Sequence, residues 1–149
     1  MIVDRAGSPT DLLEVDDDAD LIEVLASLGW GDGLPVVAPT PERVEAMLAG
    51  CSGHDPEEVV ATLPPRFGQA TRLAIAVNAV MAGCLPDHLP VLVSAVRALA
   101  HTDLNLRGVN ATTHCVAPLL VVHGEVVRSA GYHGGLGAFG PGSRANATT

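Results

Sequence analysis

Three side chains of different chemistry stand where the local pattern of this sequence changes: Asp32, Cys84 and His114. Asp32 lies between two glycines, Cys84 follows the glycine that ends a helical pattern, and His114 follows two threonines at the expected end of a strand. Loop residues beside regular elements commonly carry function, because a rigid scaffold positions them. We expect His114 to move protons or bind a metal, Cys84 to act as a nucleophilic or redox thiol, and Asp32 to serve as an orienting or acidic group.

Each of these assignments has a structural alternative. Asp32 also fits an ordinary Asp-Gly turn, and a lone cysteine is most often a small buried hydrophobe. If Cys84 is a functional thiolate, it should be alkylated faster than Cys51 and Cys115 near neutral pH, because reactivity follows the thiolate fraction and access.

No two Cys or His residues have the spacing of a structural zinc site, and whether a metal is bound at another kind of site stays open. The histidines expected to be solvated, in connectors or at helix ends, are His54, His88 and His101.

A glycine-rich turn over Gly140–Arg144 leads into Ala-Asn-Ala-Thr, which is typical of a helix start. Such a turn leaves backbone N–H groups unpaired, and a helix N-terminus adds about half a positive charge. Arg144 and the Ser143 hydroxyl would complete a cradle for an anion, and the alternative is a loop that only turns the chain. The substrate-binding residues expected from this loop and the facing strand end are Asn110, Thr113, Gly140, Gly142, Ser143, Arg144 and Asn146.

The net charge of −9 is divided unevenly along the chain. Residues 1–58 carry fourteen acids and two arginines, whereas residues 59–149 carry three acids and six arginines. An acidic protein without lysine is a poor partner for nucleic acid, which requires a basic face. The arginines of the second half could still serve an anionic substrate, because guanidinium groups suit carboxylates and phosphates.

Length and hydropathy predict a cytoplasmic protein without a membrane partner. No apolar run reaches the roughly 18 residues that a membrane-spanning helix needs. The N-terminus is acidic, which differs from a secretory signal. Three cysteines, an odd number, do not indicate a disulfide framework.

The hydrophobic pattern predicts an α+β or mixed α/β fold, with a helical N-terminal half that includes an antiparallel helix pair, followed by a small sheet and a glycine-rich loop. Helix starts are indicated at Asp18 or Asp20, at Thr40 and at Asp55, where Glu58 is placed for a capping box. The helix pair is expected at 69–82 and 90–100, the strands at 104–109 and 116–122, and a hairpin turn at 123–125. We expect residues 1–18 to form a flexible acidic arm and 19–149 a single domain that is incomplete at its C-terminus without a partner chain.

Four sequence blocks are similar to a bacterial family of largely unassigned function. They are W-G-D-G-L-P-V-V from Trp30, N-A-V-M-A-G-C from Asn78, G-V-N-A-T-T-H from Gly108 and F-G-P-G-S-R-A-N-A-T from Phe139. The resemblance covers residues 21–149, and members of the family are associated with the U-G-S-C-motif (seleno)proteins, which implies a redox-type context. In the family pattern the chain continues past the Asn-Ala-Thr block. The U-G-S-C motif is absent here, so the resemblance assigns no selenol or thiol role to a residue of this chain.

Together these features predict a subunit of a bacterial small-molecule enzyme, of the oxidoreductase or lyase type. It would bind an anionic or carbonyl-bearing substrate at the glycine-rich loop, use His and Cys chemistry, and have its site completed by a second protein subunit. The alternative is a non-catalytic metal-binding or regulatory subunit of a hetero-oligomer, in which His114, Cys84 and Asp32 hold a metal ion or simply pack.

Overall fold

The computed structural model of the chain describes residues 20–27, 29, 34–140 and 142–149. Asp32 and the expected acidic arm lie outside the described residues. Within them the fold is α+β, as the sequence predicts, with a helical core and one antiparallel two-stranded hairpin. The elements are α1 (Leu21–Ser27), α2 (Pro41–Leu48), β1 (Val59–Leu63), β2 (Gly68–Thr71), α3 (Arg72–Ala82), α4 (Leu89–Leu99), α5 (Leu106–Ala111), α6 (Val126–Ser129) and α7 (Arg144–Thr148).

Two of the helix starts read from the sequence are confirmed. The Asp20 carboxylate accepts a hydrogen bond from the backbone N–H of Ile22 at 2.9 Å, at the start of α1. The Thr40 hydroxyl accepts one from the N–H of Arg43 at 3.4 Å, and Pro41 occupies the first position of α2. These side chains satisfy N–H groups that have no partner inside the helix.

The prediction of a helix after Asp55 is wrong, because a β-hairpin occupies this part of the chain. The Asp55 carboxylate accepts from the N–H of Glu57 at 2.9 Å and so forms a turn, after which β1 runs antiparallel to β2. The β-branched residues of β1 favour a pleated strand, and pairing with β2 satisfies their backbone groups. The 69–82 helix consequently begins only at Arg72, where Thr71 provides the cap.

Glu58 has an ionic role instead of a capping role. Its carboxylate lies 2.6 Å from the guanidinium of Arg72, which is only 2% exposed, and 3.3 Å from that of Arg97. The hydrogen bond from Arg72 holds the pKa of Glu58 below its usual value. This network attaches the hairpin to α3 and α4. Arg72 and Arg97, two of the six arginines in residues 59–149, therefore stabilise the fold.

The helix pair expected from the hydrophobic period is present as α3 and α4, joined by a short 3-10 helix at Pro86–His88. Alanine, valine and leucine side chains of these helices pack with α2 into the main core. Its buried members are Val44, Met47, Ile75, Ala76, Ala79, Val80, Cys84, Leu89 and Val93. In the described part of the chain no helix has the length and apolar character to cross a membrane.

The predictions of strands at 104–109 and 116–122 are both wrong. Residues 106–111 form α5, which is capped by the Asn105 side chain accepting from the N–H of Gly108 at 3.3 Å. Residues 116–122 belong to no strand, and 123–125 lead into α6 instead of a hairpin. Their β-branched composition suits a strand, but a strand also needs a neighbour, and the described part of the chain pairs none with them.

Candidate functional site

The end of α3 sets the position of Cys84. Gly83 adopts a left-handed conformation with φ of 84°, which costs glycine little because it has no Cβ. The N–H of Gly83 then bonds to the carbonyl of Val80 at 2.9 Å, and the N–H of Cys84 to that of Ala79 at 2.8 Å. This is the hydrogen-bond pattern of a Schellman motif, which turns the residue after the glycine back against the helix. The Gly-Cys pair therefore folds the thiol into the core.

The thiol of Cys84 is buried and bonded to the backbone. Its side chain is 6% exposed, and Sγ donates a hydrogen bond to the carbonyl oxygen of Thr148 in α7 at 2.9 Å. Burial raises the pKa of the Cys84 thiol, and the nearby positive charge of Arg144 offsets only part of that rise. Cys84 is thus a protonated thiol at neutral pH, whereas Cys115 is exposed. Burial and the raised pKa argue against the expectation that Cys84 is the most reactive of the three cysteines, and labelling tests it.

Two arginines share a small cavity with this thiol. The cavity has a volume of about 220 Å³ and lies between α2, the end of α3 and α7. The Nη1 of Arg43 donates to the carbonyl of Ala38 at 3.0 Å, and the Nε of Arg144 donates to that of Gly83 at 2.8 Å. Neither guanidinium forms a salt bridge in the described part of the structure. The lining residues are Val37, Arg43, Ala46, Met47, Val80, Gly83, Cys84, Pro86 and Arg144.

This cavity is suited to a small anion. Among the described residues its lining contains two permanent positive charges and no acidic side chain, in a protein whose overall charge is −9. Each guanidinium has five N–H donors in a planar fork, and one backbone bond apiece leaves most of them available. The volume is below that of typical drug-sized sites, about 300–1,000 Å³, so a ligand of a few heavy atoms fits best.

The glycine-rich loop is organised by its own hydrogen bonds. The N–H of Gly140 bonds to the carbonyl of Gly137 at 2.9 Å, and the N–H of Gly142 bonds to the carbonyls of Gly137 and Gly140. The Ser143 hydroxyl accepts from the N–H of Asn146 at 3.2 Å and donates to its side-chain oxygen at 2.7 Å. The cradle expected at Gly140, Gly142 and Ser143 is therefore corrected, because these polar groups already have partners inside the loop.

Asn146 holds this loop together. Its side-chain oxygen accepts from the N–H of His133 at 2.8 Å as well as from Ser143, and its side-chain nitrogen donates to the carbonyls of His133 and Ala138, both at 2.9 Å. The amide thus uses both of its donors and both acceptor positions. We expected Asn146 to bind substrate, but its polar atoms are occupied by the protein.

Close packing explains the glycine at position 142. A Cβ there would lie 2.7 Å from the carbonyl oxygen of Gly137 and 2.9 Å from the His133 ring. Two parts of the same loop lie too close together here for any side chain larger than that of glycine. The glycine at position 142 is therefore explained without a ligand approaching the backbone. Of the loop residues expected to bind substrate, only Arg144 lines the cavity beside Cys84.

The structure does not join His114 to this cavity. Asn110 lies in α5 and donates to the carbonyl of Pro64 at 3.4 Å, while Thr113 and His114 are exposed in the segment that follows. The backbone N–H of His114 bonds to the hydroxyl of Thr112 at 3.1 Å, and its ring has no hydrogen bond or ion pair to a described residue. Among the residues expected to do chemistry, Cys84 and Arg144 come together and Asn110, Thr113 and His114 lie elsewhere.

His88 was expected to be solvated, and it is one of the most buried side chains. It is 1% exposed, its Nδ1 accepts from the N–H of Leu85 at 3.2 Å, and its Nε2 lies 3.1 Å from the carbonyl of Ala130. Because Nδ1 is an acceptor, the proton of the neutral ring resides on Nε2, which donates to Ala130. Nothing in the sequence around His88 indicates that its ring is buried and connects Leu85 to Ala130.

Neither metal ligation nor likeness to known proteins adds a further constraint. Among the described residues no group of three or more His, Cys, Asp or Glu side chains could hold a metal ion. No protein-family model, no curated protein and no solved structure matches this chain.

Cysteine labelling tests the environment of Cys84 directly. At pH 7 we expect iodoacetamide to modify Cys115 first and Cys84 last, because only the thiolate reacts and Cys84 is buried with a raised pKa. The Cys84 rate should rise as the pH is raised toward 10, because its raised pKa keeps the thiol protonated at pH 7. Peptide mapping by mass spectrometry gives both rates, and a Cys84 rate equal to that of Cys115 at pH 7 would contradict the buried, protonated thiol.

Proposed function

We propose that this chain is the anion-binding part of a bacterial small-molecule enzyme, of the oxidoreductase or lyase type, whose site is completed by a second protein subunit. The substrate is a small carboxylate or other oxyanion that binds between Arg43 and Arg144, beside the thiol of Cys84. One observation carries the proposal: two guanidinium groups that form no salt bridge with any described residue line the same cavity as a buried thiol.

The chemistry available to Cys84 is addition to a carbonyl. When a small anion carries a carbonyl next to its charged group, the Cys84 sulfur can bond to the carbonyl carbon while the thiol proton passes to the oxygen. This step is balanced and requires no further reactant. In this step the thiol proton passes to the carbonyl oxygen of the substrate, so the S–H group must first turn away from the Thr148 carbonyl to which it now donates. Movement of α7 would also release this bond, and α7 is where we propose that a partner subunit acts on the site.

The sequence resemblance supports the same interpretation. The blocks that end in Cys84 and begin at Phe139 supply the thiol and Arg144, and the W-G-D-G-L-P-V-V block ends at Val37, which also lines the cavity. An association with redox-type (seleno)proteins would suit a site built around a thiol. Asp32 and His114 remain candidates for proton transfer in the assembled enzyme, with Asp32 outside the described residues.

Anion binding is tested by thermal protection with inorganic sulfate. We expect sulfate to raise the melting temperature of the wild type, because binding to the native state alone stabilises it. Arg43→Ala and Arg144→Ala should each weaken sulfate binding about tenfold, the effect of losing roughly 1.4 kcal/mol from a charge-assisted contact. Titration calorimetry at low ionic strength gives the affinities. Sulfate should also slow alkylation of Cys84, since it fills the space beside the thiol.

The matched control is Arg107→Ala, which removes an exposed arginine of α5 that lines none of the cavities described here. Its sulfate affinity should equal that of the wild type. Equal loss in all three variants would mean that sulfate responds to overall charge, and unchanged binding in Arg43→Ala and Arg144→Ala would refute the site. Arg144→Lys keeps the charge and separates an ionic effect from loss of the hydrogen bond to Gly83.

The non-catalytic metal-binding alternative has no comparable support. Cys84 and His114, the two of its expected ligands that the structure describes, share no cavity and no contact that would bring them to one ion. Metal analysis of the purified protein, with and without its partner subunit, decides between the two functions.

A further inference from the structure

A second and larger cavity, of about 530 Å³, lies between the β1–β2 hairpin and the facing sides of α3 and α4. This volume is in the usual range of small-molecule sites. It shares no lining residue with the Arg43–Arg144 cavity, so the two are different sites. Among the residues that form its walls are Leu63 and Ala70 of the hairpin, Ala74 and Ala82 of α3, and Leu92 and Val96 of α4.

Small side chains of α3 create the concavity. Ala74, Asn78 and Ala82 follow one another at intervals of four residues, so they form a single row along the helix. Two of the three end at Cβ, which leaves space between α3 and the hairpin where longer side chains would otherwise pack. The surrounding leucine and valine side chains keep the cavity apolar.

The polar groups of the cavity are uncharged and partly unused. No ionisable side chain of the described residues lines it, so a charged ligand group would lose its hydration without gaining an ionic partner among them. The side-chain nitrogen of Asn78 donates to the carbonyl of Ala74 at 2.8 Å, and its side-chain oxygen has no hydrogen bond with a described residue. The carboxamide of Gln69, also on the wall, forms no hydrogen bond with a described residue.

We propose that this cavity binds an uncharged small molecule with an apolar body and a hydrogen-bonding group that meets the carboxamides of Asn78 and Gln69. An apolar wall with a few placed polar groups is the usual composition of a small-molecule site. The absence of charge in the lining distinguishes this ligand from the small anion of the arginine cavity. The residues that argue for this ligand, Asn78, Gln69 and the small side chains of α3, line only this cavity, although Thr148, which holds the Cys84 thiol, also lies on its wall.

Two dyes that differ in one charged group test the proposal. N-phenyl-1-naphthylamine is neutral, apolar and carries one N–H donor, and its sulfonated analogue has the same rings with an added negative charge. We expect the neutral dye to bind the full-length protein saturably, with a rise in fluorescence, and the sulfonated dye to bind at least about tenfold more weakly. Ala82→Phe places a ring into the cavity from an exposed position and should weaken the neutral dye about tenfold or more.

Ala98→Phe is the matched control. Ala98 is an exposed helix alanine that lines a separate apolar groove on the outer side of α4, between α4 and residues 120–123, so the same change there should leave dye binding unaltered. Circular dichroism and urea unfolding establish that both variants are folded. The proposal is overturned when the neutral dye does not saturate, when Ala82→Phe binds it like the wild type, when Ala98→Phe is the variant that loses it, or when the sulfonated dye binds equally well.

Discussion

Replacing His88 with alanine should reduce the free energy of unfolding by about 2–4 kcal/mol, the cost of a core cavity together with two unpaired backbone groups. His88 is 1% exposed and connects the turn between α3 and α4 to the end of α6, through Leu85 and Ala130. The alanine variant leaves the N–H of Leu85 and the carbonyl of Ala130 without their partner. Urea unfolding followed by circular dichroism measures the loss.

Two amide variants separate the two hydrogen bonds of His88. Asparagine places its oxygen near the position of Nδ1 and can still accept from Leu85, whereas glutamine places a donor near Nε2 and can still reach Ala130. Each should therefore lose less stability than alanine. His101→Ala is the control, since His101 is 66% exposed and accepts a single local bond from Asp103. If His88→Ala and His101→Ala unfolded at the same urea concentration, the buried connection would not contribute to stability.

Replacing Asn146 with aspartate should open the glycine-rich loop and expose Cys84. The carboxylate puts an oxygen where the amide nitrogen now donates to the carbonyls of His133 and Ala138, so two attractive contacts become repulsive. We expect a loss of about 2–4 kcal/mol in the free energy of unfolding. Because Asn146 lies in α7 with Thr148, loosening this helix should also free the Cys84 thiol, and its alkylation rate should rise at least about tenfold at pH 7.

Asn110→Asp is the control for this change. Asn110 makes one long hydrogen bond, 3.4 Å to the carbonyl of Pro64, and the same substitution there should alter neither stability nor Cys84 labelling appreciably. A stable Asn146→Asp protein with wild-type Cys84 labelling would show that α7 is held in place by contacts other than this amide. Faster labelling without loss of stability would locate the effect in α7 alone.

Local signals in the sequence predicted ends of α1, α2, α3 and α7, whereas α5 and α6 lie where strands were expected. Thr40 before Pro41 marks the start of α2, Gly83 marks the end of α3, and the serine and arginine before Ala-Asn-Ala-Thr mark the start of α7. Each is a short-range effect, in which a side chain or a permissive backbone satisfies groups within a few residues. Such effects are encoded close to where they act, so they can be read without knowing the rest of the fold.

The strands could not be assigned in the same way. Residues 59–63 and 116–122 are both rich in β-branched and leucine side chains, yet only the first segment forms a strand. The difference is the partner: Val59 and Leu63 meet Thr71 and Gly68 across the hairpin, whereas the second segment has no strand beside it in the described structure. Pairing depends on residues distant in the sequence, and local propensity does not report it.

The sequence by itself determined the α+β class, the N-terminal caps of α1 and α2, and the presence of a thiol next to a helix-ending glycine. The tertiary structure alone decided what surrounds that thiol. Arg43 and Arg144 are far apart in the chain and meet at Cys84 only because α2, the end of α3 and α7 pack together. The tertiary structure also determines that polar groups of the glycine-rich loop bond to Asn146, and that His88 is buried against Ala130. Hydrogen bonds and burial across such distances follow from the assembled fold, and they determine which side chains remain available to a ligand.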